Sequence, residues 1–190
     1  MSWNVSGNYS TAVGQSCLLT NTQAFMTAVG YNALRDPTGA NNSAFGKDSL
    51  DANTTGYYNT AVGEASMGAN TDGHSNTAAG HEALLANTTG NQNTGLGMYA
   101  LTGNTTASNN TAVGYYALVA NTTGTNNVAV GQAALTVSTT GTFNTAVGKS
   151  ALGATTTGEN NVAIGEVALQ SNTTASDNTA VGVSVLGSNT

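Results

Sequence analysis

The 190-residue chain carries few side chains able to do chemistry: nine Asp+Glu, three Lys+Arg, two His and one Cys. A single Cys rules out an internal disulfide framework and a Cys-based zinc site. Cys17 as a nucleophile or cross-link is weighed against a small residue in a packed column, because equivalent places hold Ala33, Ser49, Ala83 and Ala100. His74 and His81 fall at different points of the sequence pattern with no Cys beside them, which reads as solvated polar residues rather than metal ligands. The carboxylates show no calcium-binding signature, and the chain has neither a G-x-S-x-G elbow nor a phosphate-binding loop. No catalytic residue, cofactor or metal is therefore expected. Asn-Xaa-Thr triplets such as Asn53-Thr54-Thr55 and Asn87-Thr88-Thr89 match the glycosylation pattern but read as structural turns. Tyr57, Tyr58, Tyr99, Tyr115 and Tyr116, with Phe143, remain as candidates for contact with a glycan or a partner protein. The alternative is that these rings shield a neighbouring chain or lean on adjacent repeats.

Charge narrows the partners. A net charge of −6 with only three cations cannot neutralise a run of phosphates, so nucleic acid is excluded. Anionic membrane surfaces are disfavoured for the same reason. No apolar run approaches a membrane span, so no membrane insertion is expected. Residues 1–8 have neither the basic nor the apolar segment of a secretory signal, which predicts either a protein that stays in the cytoplasm until assembly or a chain trimmed of its leader.

Those few residues are positioned by a repeat. The composition is 25 Asn, 32 Thr and 24 Gly, low in complexity, so its meaning depends on periodicity. The glycine of each Ala-Val-Gly-like triplet falls at Gly14, Gly30, Gly46, Gly63, Gly80, Gly97, Gly114, Gly131, Gly148, Gly165 and Gly182. With that glycine as position 5, eleven units share the consensus N-T-A-V-G-x-x-A-L-x-x-N-T-T-G-x-x. Position 1 is Asn nine times running from Asn42 to Asn178, and position 13 is Thr in every unit from Thr22 to Thr190. A disordered linker has no reason to hold such columns in register.

Sixteen or seventeen residues are too few for a helical repeat and suit short strands and turns. Thr and Val are strand formers; Asn and Gly are turn formers. The predicted fold is all-β, a parallel β-solenoid of eleven coils with neighbours about 4.8 Å apart and a rod of roughly 50 Å. Residues 1–8 read as a cap or attachment segment, and 9–190 as one solenoid domain cut off in mid-repeat. Positions 2 and 4 share a parity and are expected inside, with a second short strand beginning at positions 8 and 9. All twelve Asp, Glu, Lys and Arg residues fall at positions 6, 7, 10, 11, 14, 16 and 17, which marks the other columns as inward or interface-facing. Structural ladders are expected at Asn110, Asn127, Asn144 and Asn161, at Thr122, Thr139 and Thr156, and at Gly114, Gly131, Gly148 and Gly165, where a bend needs positive φ or close backbone approach. Position 3 is Ala or Gly in all eleven units. Opposed in parity to the Val column, it predicts an outward apolar stripe covered by another chain, with Ala112, Ala129, Ala146 and Ala163 at the contact.

Asn160-Asn161-Val162-Ala163-Ile164-Gly165 resembles the N-S-V-A-I-G strand motif of trimeric autotransporter adhesin heads (Hep/Hag-type repeats), and Asn126-Asn127-Val128-Ala129-Val130-Gly131 is nearly as close. The longer unit is similar to repeats of bacteriophage tail-fibre and virion-appendage proteins. The likeness covers about residues 8–190. It implies a left-handed parallel β-roll, three chains side by side, the two strand residues flanking Ala turned inward, and adhesion.

The expectation is a non-catalytic structural and adhesive fibre segment of a phage virion. It would be homotrimeric, joined to other virion proteins at its N-terminal end, and would present variable coil corners to a host-surface glycan or protein. The alternatives are a bacterial trimeric surface adhesin head, displayed at the cell surface, and an ice-binding solenoid with an ordered Thr array. Against the last, positions 2 and 13 look half inward.

Overall fold

A computed structural model describes residues 9–187. The expected cap at residues 1–8 lies outside the described residues. The chain winds as a parallel β-solenoid with one three-residue strand per coil. The strands are β1 (Thr11–Val13), β2 (Thr27–Val29), β3 (Ser43–Phe45), β4 (Thr60–Val62), β5 (Thr77–Ala79), β6 (Thr94–Leu96), β7 (Thr111–Val113), β8 (Val128–Val130), β9 (Thr145–Val147), β10 (Val162–Ile164) and β11 (Thr179–Val181). They form one eleven-stranded sheet in sequence order. Each strand pairs in parallel, position for position, with the equivalent residues of the next coil, as in Ala112↔Ala129 and Ala146↔Ala163.

Stacking continues around the rest of the coil. Gly80 N donates to Val62 O (2.8 Å), Leu84 N to Ala100 O (3.0 Å) and Thr88 N to Thr105 O (2.8 Å), so even the turns bond to neighbouring coils. The polar backbone of non-strand segments is thereby satisfied.

Positions 8 and 9 are turn, not the second strand expected from the sequence. The cause is backbone handedness. Three columns of non-glycine residues adopt left-handed φ in every coil: position 7 (Tyr99 at 61°, Ala133 at 55°), position 9 (Leu101 at 55°, Leu118 at 51°) and position 17 (Asn109 at 62°, Phe143 at 58°). Extended conformation cannot pass through such residues. Each costs on the order of 1–3 kcal/mol, sustained here because every turn is braced by the coils beside it. Left-handed backbone at position 9 accompanies inward burial of its Leu.

The interior is narrow. Per coil it takes the position-3 Ala, the small residue at position 8, the Leu at position 9 and two polar groups at positions 1 and 12, all buried. Positions 2 and 4 face outward: Val62 and Ile164 are 43% and 40% exposed, while Ala112, Ala129, Ala146 and Ala163 are 0% exposed within this single chain. This reverses the expected orientation and removes these alanines from any inter-chain contact. The reason is space. At Gly95, the one glycine of this column, an added Cβ would lie 3.2 Å from Ala100 O and 3.4 Å from Leu84 Cγ. The strand backs directly onto the Leu turn, so a methyl group fits there and a Val or Ile does not.

The position-5 glycines are required twice over. Their φ lies between 127° and 145°. A Cβ at Gly114 would sit 2.7 Å from Gly131 O, and one at Gly148 2.5 Å from Gly165 O. No L-residue tolerates either condition cheaply.

Candidate functional site

Internal hydrogen-bond ladders run from coil to coil along the solenoid. At position 1 the Asn side chain links coils and closes its own. Asn127 N donates to Asn110 Oδ1 (2.9 Å), Asn144 N to Asn127 Oδ1 (3.0 Å) and Asn161 N to Asn144 Oδ1 (3.0 Å). Meanwhile Asn110 Nδ2 reaches across its coil to Gly124 O and Asn127 Nδ2 to Gly141 O, both at 2.8 Å. The expected Asn ladder therefore exists, but it runs chiefly through backbone N–H groups and carbonyls.

The true amide-to-amide ladder is at position 12, which the sequence reading did not single out. Asn70 Nδ2 donates to Asn53 Oδ1 (2.7 Å), Asn87 to Asn70 (2.8 Å), Asn104 to Asn87 (2.9 Å) and Asn121 to Asn104 (2.9 Å). Each Nδ2 also holds the position-15 carbonyl of its own coil, as Asn121 does with Gly124 O (2.9 Å). The ladder stops at Ser138, leaving Asn121 Oδ1 and Ser138 Oγ buried without a hydrogen bond. The absence of charge from position 12, combined with its recurring Asn, was the available signal.

The threonine column is partly exposed and bonds to backbone. Thr122 Oγ1 donates to Thr139 O (3.0 Å), Thr139 Oγ1 to Thr156 O (3.3 Å) and Thr156 Oγ1 to Thr173 O (3.1 Å).

Outside, the strand face presents two parallel columns. Position 2 is Thr, Ser or Val from Thr11 to Thr179; position 4 is Val, Phe, Ala, Leu or Ile from Val13 to Val181. Neither column contains a charge. The result is an exposed stripe, half hydroxyl and half aliphatic, flanked by the corners at positions 16–17 and 6–7.

The charges lie on these corners and other outer positions. Lys47 Nζ contacts Glu64 Oε1 at 3.1 Å and Lys149 Nζ contacts Glu166 Oε1 at 3.3 Å, pairs from successive coils brought together by register. Hydrogen bonds that Lys47 Nζ donates to the Glu64 and Asp48 carboxylates hold its ammonium pKa above the ordinary value. Arg35 Nε lies 3.5 Å from Asp51 Oδ1, an ion-pair contact without a hydrogen bond. Burial pushes the Asp51 carboxyl above its ordinary value, and Arg35 only partly opposes that.

Five tyrosines singled out from the sequence form two separate groups. Tyr57 stacks on His74 (centroids 4.7 Å, 12° between planes), with Tyr58 edge-on at 5.3 Å, on the corner before the strand. On the corner after it, His81, Tyr99, Tyr115 and Tyr116 make a continuous cluster over three coils. Burial raises the Tyr115 phenol pKa. Phe143 is exposed, and Cys17 is buried in the position-8 column beside its Ala equivalents. Among the described residues no group of three or more His, Cys, Asp and Glu is placed to hold a metal ion, and no helix is long and apolar enough to cross a membrane. These features define a class, the parallel β-solenoids. No family model matches the chain, and no curated protein or solved structure matches it.

Proposed function

We propose that the chain is a structural and adhesive fibre segment of a phage virion, non-catalytic, assembled in the host cytoplasm, with a bacterial surface adhesin head as the alternative setting. One observation carries this reading: the interior is filled by repeating columns of Asn, Ala and Leu with few substitutions, while the charges and most aromatic rings are turned outward at the coil corners. Such a body is a stiff spacer that can change its surface without changing its fold. The sequence likeness of Asn160–Gly165 to adhesin-head strands supports the same use, although the strand faces the other way round, with Ala163 inside and Ile164 outside.

A homotrimer remains part of the proposal, but through a different face. The position-2 and position-4 columns supply the uncharged stripe that the alanines do not. Over eleven coils it is roughly 50 Å by 10 Å. Three copies packed on it would remove about 1,500 Å² in all, or about 500 Å² per pairwise contact, which is less than a standard stable interface, so the corner columns beside the stripe must add to the contact. Light scattering at three times the 18.8 kDa chain mass, together with proteomic detection in purified virions, tests the proposal. A monomer in solution overturns the trimer, and absence from the particle overturns the virion role.

A second reading has one specific observation behind it. The outward Thr column, spaced by the strand distance of about 4.8 Å, is the ordered hydroxyl array that an ice-binding solenoid needs. A monomer that produces thermal hysteresis would favour it over the fibre. A trimer without hysteresis would remove it.

A further inference from the structure

The cluster of rings on the corner after β5, β6 and β7 is not explained by folding. Tyr99 and Tyr116 occupy position 7 with φ of 61° and 57°, where a bulky side chain is a genuine outlier. Sister coils place Ala65 and Ala133 in the same conformation. At position 6, Tyr115 stands where other coils carry Glu64, Gln132 or Lys149. The fold accepts small or polar residues at both places, so ring packing is not what the coil requires.

The rings nevertheless converge. His81 meets Tyr99 edge-on (5.4 Å, 88°), Tyr99 leans on Tyr116 (4.9 Å, 35°), and Tyr115 meets Tyr116 edge-on (4.3 Å, 89°). Met98 lies among them with 42% of its surface exposed, and Tyr115 is 46% exposed. Three coils place this surface along roughly 10 Å of the rod.

We propose that this corner is a binding platform for an uncharged glycan, with a pyranose ring stacked on the Tyr99–Tyr115–Tyr116 surface; the proposal rests on the adhesive reading above and names its ligand class. Aromatic faces carry negative quadrupole density that attracts the C–H edge of a sugar ring. Tyr hydroxyls, the Glu82 carboxylate and the Gln132 amide stand at neighbouring corner positions to bond sugar hydroxyls. The corner positions of these three coils hold no Lys or Arg and the chain carries −6 overall, so sulfated or phosphorylated glycans are disfavoured. A quaternary ammonium ligand needs rings spread into a cage. Here the tyrosine centroids are only 4.3–6.5 Å apart, which leaves no room between them.

The test is affinity electrophoresis of the full chain through gels containing dextran, mannan or galactan, with saturation-transfer NMR against the methyl glycosides of glucose, mannose, galactose and N-acetylglucosamine. Tyr99→Ala, Tyr116→Ala and Tyr115→Gln borrow residues from sister coils, so their melting curves should match the parent. At least one neutral sugar should bind, and each replacement should weaken binding roughly tenfold. Tyr57→Thr on the opposite corner should leave it unchanged. The platform is overturned if no neutral sugar binds, if binding survives the triple replacement, or if only anionic polysaccharides bind. Attachment to host cells abolished by protease but not by periodate would mean a protein receptor and also overturn it. If the triple variant still attaches to cells as the parent does, adhesion stands and this surface falls. If the parent binds neither cells nor sugars, both fall.

Discussion

Replacing Ser138 by Asn should mend the position-12 ladder. In the coils before it, each Asn side chain donates once to the Asn of the preceding coil and once to its own position-15 carbonyl, at 2.7–3.1 Å. Ser138 is too short for either bond, so two buried polar atoms are unpaired. Ser138→Asn supplies a donor to Asn121 Oδ1 and to Gly141 O. That carbonyl already accepts from Asn127 Nδ2, as Gly73 O accepts from both Asn59 and Asn70. Two new bonds at about 1 kcal/mol each, less about 1 kcal/mol for the unpaired oxygen that the new amide presents to Thr155, give a gain of about 1 kcal/mol. For a chain this size each kcal/mol raises the melting midpoint by about 2–4 °C. Adding Thr155→Asn carries the ladder on to Asn172 and should roughly double the gain. The assay is thermal melting by circular dichroism, with hydrogen exchange localising the added protection to coils seven to nine. A midpoint that stays level or falls with Ser138→Asn, while Ser138→Ala behaves the same, would refute the argument that a missing amide limits stability here.

The remaining expectations follow from packing and charge. Gly114→Ala places a methyl group 2.7 Å from Gly131 O at a φ of 134° and should cost at least about 3 kcal/mol, seen as loss of the cooperative melt; a parent-like melt would contradict the close approach. Ala146→Val should destabilise by about 1–3 kcal/mol through overpacking, whereas Val147→Thr, on the outward face, should change monomer stability by less than about 0.5 kcal/mol. The reverse order in urea titrations would restore the orientation first expected. Asp51 has a raised carboxyl pKa in the folded chain, so the folded state holds its proton more tightly. Its contribution to stability therefore falls as pH rises from the ordinary Asp value through the raised one, and is largest at acid pH. Asp51→Asn should flatten this part of the stability–pH profile, and an unchanged slope would contradict the assigned shift.

Much of this architecture is legible in the residues themselves. A sustained period, Asn, Thr and Gly columns, and charges confined to particular positions specify a stacked parallel coil, because only register stacking makes equivalent residues neighbours. Lys149 meeting Glu166 follows directly. The glycine column is equally legible, since both positive φ and close approach leave glycine as the only residue that fits. What the sequence does not decide is which face of the strand is inside. Val and Ile are more apolar than Ala, and parity assigns only two alternating faces, so hydrophobicity points to the wrong one. The tertiary structure settles it by volume: left-handed residues at positions 7, 9 and 17 close the coil so tightly that the Leu of the turn fills the space behind the strand. Only a methyl group remains possible opposite, and the branched residues are left outside. The period already makes Asn53, Asn70, Asn87, Asn104 and Asn121 neighbours and sets Tyr99 beside Tyr116; the closure decides that those amides turn inward within hydrogen-bond reach while the rings of Tyr99, Tyr115 and Tyr116 meet on an outer corner. Those distances depend on how the coil turns, which the linear period does not contain.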